Sequence, residues 1–452
     1  MITMKSKTPV LIQLFLVIGF TALFATNLAA SEHKTESDWQ AKDLPFRVLN
    51  KTSIGTSLWV CGTDESLATS SDGEEHWRVK HQTTDGAVLL NIGFANDKFG
   101  YAAGTGGLFL TTEDGGETWT PHSAGRDAIL QISFSDPKHG VIRTSPSLLF
   151  TIDGGANWSV VSAEQNSEDI KRYPYTFSLV ALDSSHMAVM MKQGSAQYEG
   201  QGFLVTGDSG KSWKFSTIPN VTLYSFLGFL GKYWTVGTEV VHKDQPGGGY
   251  GVPVALYSSD GETWEHSNND ISACRLHMCV GCTVKGCLSA NGTVTDFFSD
   301  KVLYREFPST RELTTKWAAA GSTMCFVGNG LQCAGLKTVA APSSGDLPSP
   351  TAVGPGPLGA PPVQGPHCIV CSMDRILIDK RAQGAYAIKL AIEIAKNGVV
   401  KIASAEGAPT ADIKSRIEKQ AREWIFEPYV KDGAAVSVRL NTTVQVNVVR
   451  PR

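Results

Sequence analysis

Glu113-Asp114-Gly115-Gly116-Glu117-Thr118-Trp119 is the stretch on which the reading of this chain turns. It recurs along the chain. Ser71-Asp72-Gly73-Glu74-Glu75-His76-Trp77 precedes it. Ile152-Asp153-Gly154-Gly155-Ala156-Asn157-Trp158 and Gly207-Asp208-Ser209-Gly210-Lys211-Ser212-Trp213 follow, and then the shorter Ser259-Asp260-Gly261-Glu262-Thr263-Trp264. In each copy the Asp carboxylate is suited to accept from backbone amides of its own turn, and Gly to supply the positive φ the turn requires. The Trp then returns to the core and fixes the next strand. Asp72, Trp77, Asp114, Trp119, Asp153, Trp158, Asp208, Trp213, Asp260 and Trp264 are therefore read as structural residues that hold turns and bind nothing.

Working outward, Leu90, Ile92, Phe94 and Gly100 recur as Leu130, Ile132, Phe134 and Gly140. Apolar residues alternating at period two are strands. A motif returning every ~40–50 residues between short strands is the spacing of propeller blades. The expected fold class is mainly β: a seven-bladed β-propeller over residues 43–340, followed by a small α+β domain. Blades six and seven carry no Asp motif, and the seventh is taken from length. With 452 residues, 42% apolar, 18% charged and a net charge of −3, the chain is neither wholly disordered nor a basic coat for nucleic acid. Its 45 Gly and 10 Trp suit a turn-rich β architecture.

Tyr101-Ala102-Ala103-Gly104-Thr105-Gly106-Gly107-Leu108, through Thr112, with Asp114 to Trp119, resembles one blade of the Asp-box (BNR) propellers. It is most similar to those of the photosystem II assembly-factor type. The resemblance implies the fold. It leaves activity open, because such blades serve as scaffolds, receptors and glycosidases alike.

Nine cysteines follow the same organisation. Cys279 and Cys287, and again Cys325 and Cys333, are eight residues apart. Gly328-Asn329-Gly330 between the second pair is a hairpin signal. Both pairs are expected to be equivalent disulfides in neighbouring blades. A zinc site from Cys274, His277, Cys279, Cys282 and Cys287 is the competing reading, since Cys-x-x-Cys is ligand spacing. Cys61, Cys274, Cys282, Cys368 and Cys371 are left without assigned partners. Cys368-Ile369-Val370-Cys371 reads as a redox pair, a structural disulfide or idle thiols.

Pro342 to Pro366 holds eight prolines in 25 residues. Residues 341–371 are therefore expected to be an extended, semi-rigid linker between bodies that need not touch. In residues 372–452, Ile388, Leu390, Ile392 and Ile394 alternate as a strand. Asn397-Gly398 turns the chain, and Val400 and Ile402 return it. Ile413, Ile417, Ala421 and Trp424 share one helical face. A last strand follows over about Ala435 to Val449. The order is β-β-α-β.

Ala421-Arg422-Glu423-Trp424-Ile425-Phe426-Glu427-Pro428, with Lys431-Asp432-Gly433 and the Lys396-Asn397-Gly398 turn, is similar to TonB C-terminal domains. Gln383-Gly384-Ala385-Tyr386 stands where the best-known transducers carry Tyr-Pro. The resemblance implies a protein-contact module rather than the transducer itself. It makes Val436, Val438, Leu440, Val444 and Val446 candidates for an edge that recruits an extended peptide by strand addition, either an outer-membrane receptor peptide or a second copy in a homodimer. Residues 372–384 of the same chain are the competing cover for that edge.

Lys5 and Lys7 before the apolar run Val10–Phe24, then Ala29-Ala30, give the order of a secretory signal peptide over residues 1–30. Left uncleaved, it would be an inner-membrane anchor. The chain is expected in the periplasm or exported. There is no Gly-x-Ser-x-Gly, no His-Glu-x-x-His and no phosphate loop. Phe46-Arg47-Val48-Leu49 is the nearest approach to a sialidase signature and lacks its proline. Tyr198-Glu199 is adjacent in sequence, so the two side chains point to opposite faces of a strand. Arg78, Arg126, Arg143 and Arg172 read as surface arginines. The expectation is a non-enzymatic envelope scaffold without cofactor, metal or nucleic-acid partner. A propeller glycosidase or glycan-binding lectin is the alternative.

Overall fold

The computed structural model describes residues 40–449 outside 72–75, 162–174, 193–200, 242–249, 268–278, 297–301, 305–316, 336–367 and a few shorter stretches. The candidate signal peptide, Asp72, Cys274, His277, Arg172, Tyr198 and Glu199 lie outside the described residues, as does almost all of the Pro-rich stretch. No helix among the described residues is long and apolar enough to cross a membrane.

Alternating, β-branched and aromatic segments pair into seven four-stranded antiparallel sheets among the described residues. Their inner strands are Val48–Ile54, Leu89–Phe94, Ile129–Phe134, Tyr175–Ala181, Val221–Phe229, Cys279–Thr283 and Trp317–Ala320. Each inner strand packs against the next, and Trp317–Ala320 packs back on Val48–Ile54. A ring of radially packed sheets is a β-propeller. The last sheet takes its outer strand from the far end of the chain. Gln40–Lys42 pairs antiparallel with Gly330–Gly335, Gln40 lying opposite Cys333. Closing the ring in this way leaves its two ends no separate edge to fray.

The core lies between sheets, not inside them. Phe99, Tyr101 and Phe109 of one sheet are buried against Ile129, Phe134 and Ile142 of the next. Val180, Met190 and Phe203 meet Leu223, Phe226 and Tyr233 in the same way.

The C-terminal module is a second, smaller core. Gly384–Ile394 pairs with Val400–Glu406 on one side and with the last strand, Val438–Val449, on the other. Helix Ala411–Arg422 covers one face with Ile413, Ile417 and Ala421, all fully buried, and Trp424 follows just beyond it. Thr410 caps the helix by accepting from the Ile413 N–H at 3.3 Å, while its hydroxyl donates to the Asp379 carboxylate at 2.7 Å.

Two expectations change here. Residues 368–370 belong to the module, since Cys368–Val370 pairs antiparallel with Ile425–Phe426. The two bodies also touch. The Arg47 guanidinium donates to the Glu423 carbonyl at 2.6 Å, and the Asn397 amide to the Gly86 carbonyl at 3.4 Å. Leu49 and Val88 of the ring are buried with Ile425 and packed by Ile369 and Val399. Arg47, part of the sialidase-like stretch, is thus a docking residue whose burial lowers its pKa, partly offset by the Glu423 charge.

Candidate functional site

The inner strands present their C-terminal ends at one mouth of the ring. There Ile54, Phe94, Phe134, Leu182, Phe226 and Leu227, with the turns after them, line a cavity of about 650 Å³. The wall is polar and apolar in near equal measure: aromatic and aliphatic side chains alternate with backbone groups and the uncharged side chains of Ser53, Ser133, Ser135 and Tyr101, and no charged side chain lines it. That volume lies within the usual range for ligand sites. Tyr101 fits because Gly93 opposite it has no Cβ, which would stand 2.7 Å from the ring. Burial raises the Tyr101 pKa, partly offset by hydrogen bonds with the Ser133 side chain and the Phe134 backbone. The hydroxyl therefore stays protonated. The Ser133 hydroxyl oxygen accepts from the Ala181 N–H at 3.0 Å, tying adjacent inner strands together beneath the cavity.

This mouth is not the one on which the C-terminal module sits. The module meets Leu49 and Val88, at the starting ends of inner strands, whereas Ile54 and Phe94 lie at their finishing ends. Five residues of strand separate Leu49 from Ile54, or roughly 17 Å. The cavity stays clear of the docked module.

The Asp motifs lie on the cavity side, between third and fourth strands, and each is a closed network. The Thr112 hydroxyl donates to Asp114 at 2.7 Å and accepts from the Gly116 N–H at 2.9 Å. The Thr118 N–H and hydroxyl donate to Asp114 at 2.9 and 2.6 Å. Thr151-Asp153, Thr206-Asp208 and Ser258-Asp260 repeat the arrangement. The hydroxyl two residues before each Asp is a member of the motif that the sequence reading missed. It was legible as Thr or Ser at positions 112, 151, 206 and 258.

The Trp residues pack on the preceding sheet rather than fixing only the next strand. Trp119 meets Trp59 at 5.9 Å, Trp158 meets Phe109 at 5.8 Å, Trp213 meets Phe150 at 6.1 Å and Trp264 meets Phe203 at 4.9 Å. Trp77 packs against the cluster joining the first and last sheets. These residues staple sheet to sheet and do not reach the cavity.

A second turn, also unread in the sequence, braces the motifs at Asp153 and Asp208. The Asp136 carboxylate accepts from the Lys138 and His139 N–H groups at 2.7 and 3.0 Å, and Asp183 does the same for Ser185 and His186 at 2.7 and 2.8 Å. The Lys138 carbonyl then accepts from Gly154 of the Asp motif at 2.9 Å.

The Asp carboxylates are poised for acid sensitivity. Asp114 is held well below the usual range by the Thr118 hydroxyl, then its N–H, then the Thr112 hydroxyl. For Asp208, desolvation acts upward but is outweighed by the Ser212 side chain and backbone, the Thr206 hydroxyl and the Lys211 charge. Its pKa falls to about 2. Folded carboxylates of this kind bind protons more weakly than unfolded ones. Their contribution is complete above about pH 5 and is lost progressively as pH falls through the unfolded value near 4 toward 2. Thermal midpoints are expected to be level from pH 7 to about 5 and to drop below that, less steeply in an Asp114→Asn/Asp208→Asn variant. An unchanged midpoint down to pH 2.5 would contradict this.

The cysteine expectations separate. Cys325 and Cys333 face each other across their hairpin and are joined by a disulfide, each 1% exposed. In the neighbouring sheet the register sets Cys282, not Cys279, opposite Cys287, and Cys279 falls opposite Ser289. A bulge between Cys279 and Gly281 shifts the pairing, which equal spacing in sequence cannot show. Cys368 and Cys371 are joined in a disulfide. Cys61 is a buried thiol whose Sγ lies 3.6 Å from the Leu89 carbonyl. Among the described residues no three His, Cys, Asp or Glu side chains gather as metal ligands. Arg78 and Arg126 are exposed and Arg143 is half-buried, and none of them lines the cavity.

The last strand is also placed differently. Val438–Val448 pairs in unbroken register with Gly384–Ile394, so one side of the strand is covered. On its other side Ile376–Ile378 pairs in parallel with Asn447–Val449 only. Val438, Leu440 and Val444 are half-buried, and Val446 is buried. Val436 precedes the strand and donates its N–H to the Tyr429 carbonyl at 2.9 Å.

Residues 82–218 match the family model described as photosynthesis system II assembly factor YCF48. These sheets are similar to photosystem II assembly factors. The chloroplastic photosystem II stability/assembly factor HCF136 of Arabidopsis thaliana is 29% identical over 228 residues, 47% of this chain and 51% of that protein. The chain thus spans about half the length of the curated relative it matches. Among solved structures, YCF48 bound to D1 peptide is 16% identical, covering 66% of this chain and 96% of that one, with a TM-score of 0.37. YCF48 from Cyanidioschyzon merolae is 17% identical, covering 51% and 89%, with a TM-score of 0.32. The matched segment contains the Asp motifs at 114, 153 and 208 and the inner strands that contribute Phe94, Phe134 and Leu182 to the cavity.

Proposed function

We propose that this chain is an exported, non-enzymatic assembly or binding factor of the cell envelope. Its seven sheets act as the blades of a rigid propeller, and the ring-mouth cavity holds an uncharged, apolar segment of a client polypeptide. The observation that carries this is the coincidence of the assembly-factor match with three of the five strands that build the cavity wall. A wall without charged side chains, mixing apolar groups with neutral hydroxyls and backbone, suits uncharged side chains and backbone amides, and penalises a carboxylate or phosphate through desolvation. The C-terminal module is read as a TonB-like contact domain. The side of its last strand left open from Val438 to Val446, among the described residues, is suited to strand addition by an envelope partner, an outer-membrane receptor peptide or a second copy.

Leu227 is half-buried in the cavity wall, so a charge there meets the client with little cost to the core. Leu227→Glu is expected to cut photo-crosslinking of client polypeptides in envelope extract by about tenfold or more while leaving the melting point nearly unchanged. Equal crosslinking by both proteins would place the client elsewhere. Turnover of a fluorogenic sialoside by the purified chain would overturn the non-enzymatic reading in favour of the glycosidase.

A further inference from the structure

We infer that the Cys368–Cys371 disulfide is a redox-addressable latch that keeps the C-terminal module docked on the ring. The latch goes beyond the proposed function and does not depend on it. Cys368–Val370 is a three-residue strand with an irregular register against its partner, and the segment it opens packs on both bodies. Cys368 and Cys371 pack on the module core, beside Met373. Ile369, between them, packs on the docking cluster with Leu49 and Val88 of the ring and Ile425 and Val399 of the module. The strand's partner, Ile425–Phe426, is only two residues long. A pair of strands this short is not stable by itself. The covalent link between residues 368 and 371 holds the backbone so that Ile369 stays aimed at the seam.

Two side-chain hydrogen bonds also cross the seam, the Arg47 guanidinium on the Glu423 carbonyl and the Asn397 amide on the Gly86 carbonyl. Glu423 and Ile425 both adjoin the segment that Cys368–Val370 pairs with. Freeing that strand loosens the apolar packing and this polar contact together.

The two disulfides differ in access. Cys368 and Cys371 are half-buried, whereas Cys325 and Cys333 are each 1% exposed. A dithiol reductant of the oxidoreductase class therefore reaches the first pair and not the second. Its thiolate attacks one sulfur to form a mixed disulfide. Its second thiolate then displaces that sulfur, leaving two thiols at Cys368 and Cys371 and a disulfide on the reductant. Two electrons and two protons pass to the chain. The module's buried core is built from Ile388, Leu390, Ile392, Ile413 and Ile417, and the two cysteines only border it. Reduction therefore undocks the module without unfolding it.

The test is small-angle scattering on the purified full chain, oxidised and after mild dithiothreitol treatment, with differential alkylation confirming that only Cys368 and Cys371 have opened. Undocking on the Pro-rich stretch is expected to lengthen the maximum dimension by roughly 20 Å or more. A Cys368→Ala/Cys371→Ala variant should be long without reductant and insensitive to it, with far-ultraviolet dichroism showing the module intact. If that variant does not fold, the selectively reduced wild-type chain decides the matter alone. An unchanged maximum dimension in the reduced chain, or a compact variant, would overturn the latch.

Discussion

Phe134→Ala is expected to be among the most destabilising single substitutions in the ring, costing about 3–5 kcal/mol. Phe134 ends an inner strand at 2% exposure. Its ring meets Phe99 at 5.9 Å and Tyr101 at 5.8 Å in the preceding sheet, and Trp158 of the Asp motif at 6.2 Å. Truncation would therefore remove contacts on both sides of one inter-sheet seam, and the cavity it leaves would merge with the ring mouth that Phe134 already lines. Gly140, over which the Phe134 ring packs 2.6 Å from where a Cβ would stand, has no side chain with which to fill the space left. Chemical denaturation should show the midpoint falling with its slope retained, and Phe134→Leu should recover more than half of the loss. A Phe134→Ala midpoint within error of wild type would show that the sheets are not held by this seam.

Gly116→Ala is expected to cost about 2–4 kcal/mol, from overpacking together with left-handed backbone strain. Gly116 has φ +92°, and a Cβ there would stand 2.2 Å from the Trp59 ring of the preceding sheet. Gly155 stands in the same relation to Phe109 at 2.5 Å, and Gly210 to Phe150 at 2.4 Å. Gly106 supplies the internal control, with φ +70° and no atom within 4 Å of where its Cβ would stand. Gly106→Ala carries backbone strain alone and should cost about 1–2 kcal/mol. Equal losses at the two positions, measured by denaturant melts, would mean that the inter-sheet contact contributes nothing.

The same pair of glycines shows how much of the fold the sequence displayed. The Asp motif was visible as a turn because Asp, Gly and Trp each act within a few residues of themselves. The same Gly also serves a contact some sixty residues away, between Gly116 and Trp59, and no local pattern reports it. The strand alternation at Leu90–Phe94 and Ile388–Ile394 was legible for a like reason, since burial on one face imposes period two. The C-terminal order β-β-α-β was legible too, with Ile413, Ile417 and Ala421 on the helical face that is buried. The bulge that moves Cys279 off Cys287 was not, because register is set by hydrogen bonding across strands.

The candidate site was hidden more completely. Its wall is assembled from five inner strands, each contributing residues near one strand end. In sequence these are ordinary core residues such as Phe94, Phe134 and Leu182. Nothing in their spacing marks them, because a ring mouth exists only once the sheets have closed.

By itself the sequence determined what depends on neighbours along the chain: the repeated turns, the strand periods and the amphipathic helix. Tertiary structure alone decided what depends on closure and docking. It brought Gln40–Lys42 to Gly330–Gly335, set the cavity at one end of the inner strands and turned Arg47 from a signature-like arginine into a docking residue. The physical reason is one of range. Turn chemistry and side-chain alternation act over a few residues, whereas burial and hydrogen-bond pairing act between surfaces that meet only after the chain has folded.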